Sequence, residues 1–229
     1  MIERMVSLSV GVMLSTTFLH ALPEAFEMTH DPTGLFGTVL GGLLFFFLME
    51  KFSILRHSHH HEGDGHDHEK GHDKRQAGST GWMILVGDGF HNFTDGIMIA
   101  AAFLADFQLG IITSLAIFVH EIPQEVGDFI VLLNAGFSKT RAYVYNLLCS
   151  LLAFVGGLVG YCTLDRVQGL IPYVLALASA GFIYIAVSDL IPQMQRRTSL
   201  KETIPQLVLI AVGIAIIFVI THSVHGHSH

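Results

Sequence analysis

Histidines, carboxylates and amides are concentrated in two stretches between residues 88 and 128. The two groups are Asp88, His91, Asn92 and Asp95, followed by His120, Glu121, Gln124, Glu125 and Asp128. Imidazole nitrogens and carboxylate or amide oxygens bind divalent cations, and a ligand set without thiolates suits Zn²⁺, Fe²⁺ or Mn²⁺. These residue types therefore predict a metal site.

The spacing predicts that these side chains share helix faces. Three pairs are four residues apart: His91 and Asp95, His120 and Gln124, and Glu121 and Glu125. Residues at this spacing are neighbours on one face of an α-helix. Asn92 follows His91 directly, so its side chain points about 100° further round the first helix. Asp128 lies on the same face of the second helix as Gln124 and Glu125. Two antiparallel helices joined by a short turn would bring both faces together, so we expect one site at one depth.

The five carboxylates of this region lack basic partners in the local sequence. No lysine or arginine occurs from Gln76 to Ser138. An ionised acid at the centre of a membrane helix costs about 2.5–3.5 kcal/mol, so five would cost on the order of 12–17 kcal/mol. Either protons or a bound cation must neutralise them, and the histidines favour a metal cation. Asp88 is either an orienting residue or a proton site.

Pro123 lies among the candidate ligands. It has no N–H to donate to the carbonyl of Val119, so it tends to kink the helix. We expect a freed carbonyl and a local widening beside the ion site.

The composition excludes a soluble globular protein. The chain has 229 residues, of which 51% are apolar and 14% charged, whereas soluble domains carry about 25% charged residues. Its mean hydropathy is +0.56. Seven stretches reach the roughly 20 residues that a spanning helix needs. They are Met5–Phe26, Leu35–Leu55, Gly81–Leu104, Leu109–Leu133, Val144–Leu164, Gly169–Ile191 and Pro205–Thr221. This predicts one all-α transmembrane domain over residues 1–229, in contact with a lipid bilayer.

Small residues and cysteines within the spans are interpreted as packing residues. Small pairs four apart, which let membrane helices approach closely, are Gly37 and Gly41, Gly156 and Gly160, and Ala176 and Ala180. Cys149 and Cys162 lie in one apolar stretch, so we expect neither a disulfide nor a thiolate metal site.

The basic residues predict the orientation of the chain. With the N-terminus in the cytoplasm, that side holds Arg4, Lys51, Arg56, Lys70, Lys74, Arg75, Lys139, Arg141, Arg196, Arg197 and Lys201. The other side holds only Arg166. Because lysine and arginine accumulate in cytoplasmic loops, the N-terminus and the long loop at 56–80 are predicted to be cytoplasmic, and the C-terminus lies on the opposite side.

Two segments outside the spans are rich in histidine. The loop holds His57, His59, His60, His61, His66, His68 and His72, and the tail at 222–229 holds His222, His225, His227 and His229. The loop lacks hydrophobic periodicity, which is typical of a flexible segment. We expect it to capture divalent metals weakly; the alternative is a solvated linker.

The two polar stretches resemble the paired motifs of the ZIP (Zrt-, Irt-like) metal-ion transporters, in their histidine-rich branch. The motifs are His91-Asn92-Phe93-Thr94-Asp95-Gly96 and His120-Glu121-Ile122-Pro123-Gln124-Glu125-Val126-Gly127-Asp128. The resemblance implies a helical bundle with a binuclear site, whose motif helices shift against a scaffold and move metal into the cytoplasm. By position it places His91, Asp95, His120 and Gln124 in a primary site, and Asn92 and Glu121 in an adjacent one, with Gln124 between them. It also implies that Asn146 contributes from the next span.

The chain departs from that family pattern in two places. The branch has histidine where this chain has Gln124, a weaker ligand, and the family has eight spans, so this chain corresponds to a start at the second. The implied cargo is Zn²⁺, with Fe²⁺, Mn²⁺ and Cd²⁺ as alternatives, carried across a plasma (inner) or organelle membrane. We expect no tightly bound cofactor and no nucleic-acid partner, and a homodimer is compatible with the sequence.

Three other functions are alternatives to transport into the cytoplasm. His120-Glu121-Ile122-Pro123-Gln124 approaches the HExxH motif of zinc hydrolases, but Gln124 replaces the second histidine and Pro123 interrupts the helix. A cation-diffusion exporter normally has a soluble C-terminal domain, whereas about eight residues follow the last span here. A metal sensor without transport remains an alternative. The sequence therefore favours a transporter over an enzyme.

Overall fold

The described part of the chain consists of helices joined by short turns. The computed structural model describes the backbone of residues 2–58, 72–195 and 199–225, and the side chains of 4–49, 51, 81–195 and 199–220. The α-helices are α1 Ile2–Thr16, α2 Leu22–Glu27, α3 Pro32–Ser58, α4 His72–Ala105, α5 Phe107–Asn134, α6 Lys139–Ser150, α7 Leu152–Leu164, α8 Ile171–Ile185, α9 Ile191–Gln195 and α10 Leu200–His225. This confirms the predicted all-α class.

Several of these helices continue into one another, so the described ranges form seven rods. Wider π-helical segments, Thr17–Ala21 and Ala186–Leu190, join α1 to α2 and α8 to α9, and α6 runs into α7. Five rods in this part of the chain are long and apolar enough to cross a membrane. The other two, α4 and α5, carry the polar stretches, which lower their hydropathy. The predicted polytopic bundle is confirmed.

The structure describes helix at both ends of the predicted loop at 56–80. Helix α3 continues to Ser58, and α4 begins at His72. Residues 59–71 lie outside the described residues, as do the side chains of every histidine between His57 and His72. The side chains of the tail histidines lie outside them as well.

Close helix pairs divide the bundle into packed units. Helix α4 packs on α7, α1 on α10 and α3 on α8. A Cβ added at Gly156 would collide with the carbonyl oxygen of Phe93, so α7 and α4 meet backbone to backbone. In contrast, a Cβ at Gly37 or Gly41 would meet no described atom within 4 Å, so this predicted packing pair has no described partner in the chain.

A tight turn joins α4 to α5 and sets the relation between the two motif helices. Asp106 alone separates them, and its side chain accepts a hydrogen bond from the Leu109 N–H at the start of α5. This is an N-cap, which ends one helix and starts the next. The two helices therefore run antiparallel, with their polar faces together.

Candidate metal centre

Four ligand atoms from α4 and α5 converge between the two helices. The Nε2 of His91 lies 3.2 Å from Oε1 of Glu121 and 3.7 Å from Oδ2 of Asp95. The Nε2 of His120 lies 3.4 Å from the same Asp95 oxygen and 3.5 Å from the same Glu121 oxygen. The two imidazole nitrogens are 3.4 Å apart. We call these residues the His–carboxylate cluster.

The spacing of these atoms suits a tetrahedral zinc ion. Zinc binds nitrogen and oxygen ligands at about 2.0–2.2 Å, which gives a tetrahedron with edges of about 3.3–3.6 Å. Five of the six edges measure 3.2–3.7 Å, and all four atoms lie within 4.8 Å of one another. The cluster therefore has nearly the dimensions of a zinc coordination shell.

A backbone hydrogen bond orients the ring of His120. Its Nδ1 lies 3.0 Å from the carbonyl oxygen of Ala116, one turn earlier on α5. A carbonyl oxygen only accepts, so Nδ1 carries the proton and Nε2 presents its lone pair to the cluster. This arrangement is typical of metal-binding histidines.

Buried oxygens without donors also indicate a cation. Both carboxylate oxygens of Asp95 and Oε1 of Glu121 are buried and accept no hydrogen bond from the described residues. Asp95 is only 1% exposed. Burying an ionised carboxylate without a partner is strongly unfavourable, and a divalent ion at this point would compensate it.

Three carboxylates form a second group directly beside the first. Oxygens of Asp88, Glu121 and Glu125 lie within 4.8 Å of one another, and we call these residues the carboxylate cluster. Because Glu121 belongs to both clusters, it is placed to bridge two ions. Asn92 donates from Nδ2 to Oδ1 of Asp88 over 3.0 Å, so the amide orients this carboxylate. The other Asp88 oxygen, Oδ2, is buried without a described donor.

Helix α6 holds Glu125 from the other side. Ser150 donates its hydroxyl hydrogen to Oε1 of Glu125, and Asn146 donates from Nδ2 to the Glu125 carbonyl oxygen over 2.8 Å. Ser150 was not among the residues predicted from the sequence. The signal was its position four residues after Asn146, on the same helix face.

The predicted site residues are thus distributed over two clusters and a cavity. His91, Asp95 and His120 lie together, and Glu121, which the resemblance implied for the adjacent site, contacts both imidazoles as well. Asp88 and Glu125, expected as accessory residues, belong to the carboxylate cluster. Gln124 and Asp128 line the neighbouring cavity.

This cavity, of about 470 Å³, extends from His120 to the end of the bundle at which α5 finishes. Gln124 and Asp128 line one wall, and Asp189 and Gln193 line the other. Asp189 and Gln193 are exposed, and Gln193 donates to the Asp189 carboxylate over 2.8 Å. The His–carboxylate cluster is therefore connected to the Asn134 end of α5 by a partly polar cavity.

The expectation that Pro123 leaves a free carbonyl beside the ion site is corrected. Helix α5 continues without a break through Pro123. The carbonyl oxygen of Val119 lies 2.9 Å from the hydroxyl of Ser9 on α1, which shares its one hydrogen between this carbonyl and that of Met5, also at 2.9 Å. The proline therefore frees a carbonyl that ties α5 to α1 and is not presented to an ion.

Comparison with known proteins gives consistent results along most of the chain. Residues 1–80 and 53–221 match the family described as ZIP Zinc transporter. The chain is 30% identical to zinc transporter ZIP13 of Pongo abelii over 234 residues, 94% of this chain and 65% of that protein. It is 40% identical to zinc transporter ZIP10 of Homo sapiens over 153 residues, 63% of this chain. The chain covers only 18% of the length of that ZIP10 protein.

Proposed function

Since the chain belongs to the ZIP zinc transporter family, we propose that it transports divalent metal ions, zinc first among them, through the centre between α4 and α5. The observation that carries this proposal is the His–carboxylate cluster, whose four ligand atoms have the spacing of a zinc shell. Two imidazoles with two carboxylates suit zinc and also Fe²⁺, Mn²⁺ and Cd²⁺. The ion is cargo and not a resident cofactor.

The proposed transport cycle uses the packed units of the fold. Helix α4 is joined to α7 through glycine contacts, and α1 is joined to α10, where a Cβ at Gly11 would collide with the Ile210 carbonyl oxygen. Side-chain contacts connect α1 with α5. We infer that α4, α5 and α7 move together against α1, α8 and α10, so that the clusters are exposed to one side at a time.

The proposed direction is into the cytoplasm, through the cavity at the Asn134 end of α5. Lys139 and Arg141 follow that end directly, and the lysine and arginine distribution favours a cytoplasmic location for it. Asp128 and Asp189 would give a departing cation oxygen ligands beyond the clusters. We further propose that the histidines of residues 57–72 bind metal weakly on the same side.

Purified protein in liposomes tests the function. We expect uptake of zinc, compared with iron, manganese and cadmium, and loss of uptake in His120→Ala but not in Cys162→Ala, which changes an exposed thiol on α7. Zinc binding without uptake would favour the sensor. Zinc-dependent cleavage of a membrane-embedded substrate without uptake would favour the hydrolase suggested by His120 and Glu121.

A further inference from the structure

Four buried hydroxyls in the described part of the bundle have no hydrogen-bond partner. They belong to Thr16, Thr17, Thr113 and Ser179, which are 0–3% exposed. A hydroxyl in a membrane helix usually donates to the carbonyl one turn back. Neighbouring residues do this: Ser15 donates to the Gly11 carbonyl and Ser114 to the Gly110 carbonyl. The four unpartnered hydroxyls need another explanation, because burying them unpaired is unfavourable.

The helix registers place these hydroxyls on one side of the metal centre. The contact between Ser9 and Val119 aligns the antiparallel helices α1 and α5. Towards the Phe107 end of α5, Thr16 lies seven residues after Ser9 on α1. Thr113 lies six residues before Val119 on α5. Both therefore lie at about the same depth, roughly 10 Å beyond the contact.

Helix α8 contributes the remaining hydroxyl to the same region. The Phe182 ring packs edge-on against His120 with the ring centroids 5.8 Å apart. Ser179 lies one turn earlier on α8, again towards the Phe107 end because α8 and α5 run in the same direction. The hydroxyls therefore follow the seam between α1, α5 and α8, starting one helical turn from the level of Phe182 and His120.

This seam is closed in the structure. Met13, Ile112 and Phe182, from the same three helices, are at most 2% exposed and pack in one apolar cluster. The opposite side of His120 borders the 470 Å³ cavity. The centre is therefore connected to the Asn134 end of α5 and sealed by apolar side chains towards the Phe107 end.

We propose that the hydroxyls of Thr16, Thr17, Thr113 and Ser179 line the closed half of the ion path, between the Phe107 end of α5 and the His–carboxylate cluster. When the seam opens, these oxygens replace water in the shell of an arriving divalent cation, and when it closes they are left without partners. This inference rests on the proposed transport function and adds the residues of the approach path.

Matched substitutions test the path in the full chain. Thr113→Val and Thr16→Val keep side-chain shape and break no hydrogen bond, whereas their neighbours Ser114→Ala and Ser15→Ala remove a partnered hydroxyl. In liposomes we expect the two valine variants to lower the maximal rate of zinc uptake about tenfold, as for one lost ligand in the rate-limiting state. Their melting temperatures should stay unchanged or rise, because an unpartnered hydroxyl is removed. Zinc affinity in detergent should be unchanged.

The control variants distinguish failure of the proposed ion path from failure of the proposed transport function. Ser114→Ala and Ser15→Ala should keep normal uptake. Uptake by Thr113→Val and Thr16→Val equal to that of the unmodified protein would overturn the path and leave the transport function standing. If the unmodified protein took up no metal, the transport function would be overturned and the path with it.

Discussion

The imidazole of His91 and the carboxylate of Glu121 lie on different helices, yet Nε2 of one is 3.2 Å from Oε1 of the other. Neither helix alone could build the cluster, because each supplies one imidazole and one carboxylate. A bound ion would therefore crosslink α4 and α5 three to four helical turns, roughly 20 Å, from the Asp106 turn. The folded state, and not the unfolded chain, holds these four ligands together.

Zinc should accordingly stabilise the protein against heat. At a zinc concentration of 100 times Kd, mass action adds about 2.7 kcal/mol to the free energy of unfolding. For a chain of this length that corresponds to a rise in Tm of about 5–10 °C. We expect His91→Ala and Glu121→Ala to lose most of this rise, and Cys162→Ala to keep it, in thermal unfolding with and without zinc. An undiminished rise in both ligand variants would contradict the assignment.

The number of bound ions should distinguish the two clusters. Asp88→Asn changes only the carboxylate cluster, so we expect it to bind one zinc ion fewer while retaining the tighter His–carboxylate cluster. Glu121→Gln should weaken both, since this carboxylate is shared. Equilibrium dialysis with metal analysis gives the stoichiometry. Equal effects of the two substitutions would argue against two separate clusters.

Substitutions of Gln124 test whether a higher affinity for zinc is accompanied by a lower maximal rate of transport. It stands one turn after His120 and lines the cavity that extends towards the Asn134 end of α5. Histidine offers zinc a better ligand than an amide oxygen, so Gln124→His should lower the half-saturating zinc concentration and leave or reduce the maximal rate. Gln124→Ala should weaken binding less than His91→Ala does.

Zinc titration and uptake of these purified variants measure both quantities. If Gln124→His left the affinities for zinc, iron and manganese all unchanged, Gln124 would not face the ion.

Two adjacent glycines on α7 form a matched pair for packing. A Cβ at Gly156 would collide with the Phe93 carbonyl, whereas one at Gly157 would lie 3.6 Å from the Gly96 carbonyl oxygen, an ordinary contact. We expect Gly156→Ala to destabilise the protein by about 1–3 kcal/mol and to weaken zinc binding, because α4 carries His91. Gly157→Ala should be neutral or stabilising. Comparable melting temperatures for the two variants would contradict the close α4–α7 contact.

The orientation can be tested at the two ends of the α6–α7 rod. Lys139 and Arg166 are exposed there. In a Cys149→Ser, Cys162→Ser background, Lys139→Cys should react with a membrane-impermeant thiol reagent from the cytoplasmic side and Arg166→Cys from the opposite side. Labelling of both from the same side would show that this rod does not cross the membrane.

Much of the fold and of the site could be predicted because each depends on local sequence. Runs of apolar residues predicted the seven rods, and spacings of four residues predicted which polar residues share a face. The π-helical segments were missed, although each ends two residues before a proline, Pro23 or Pro192. A proline has no N–H for the usual bond, so the turn before it widens: the Leu22 N–H reaches back five residues to the Thr17 carbonyl.

The relative depth of α4 and α5 could not be predicted from spacing. It depends on the Asp106 turn and on the contact between Ser9 and Val119, which are separated by 110 residues. Because of this relative depth, the Glu121 carboxylate lies close to the imidazoles of both His91 and His120. The lack of a hydrogen-bond partner for the Thr113 hydroxyl could not be predicted from the sequence either. Its neighbour Ser114 is also a hydroxyl residue in the same apolar helix, yet it donates to the Gly110 carbonyl.

The composition of the His–carboxylate cluster has an electrical consequence. Two carboxylates and two neutral imidazoles sum to a formal charge of −2, which a divalent ion cancels. A transmembrane voltage acts on net charge, at about 2.3 kcal/mol per elementary charge per 100 mV. Under the proposed transport cycle, the loaded cluster would therefore cross the field without electrical work, and the voltage would act on the return of the emptied cluster in proportion to the charge that it keeps.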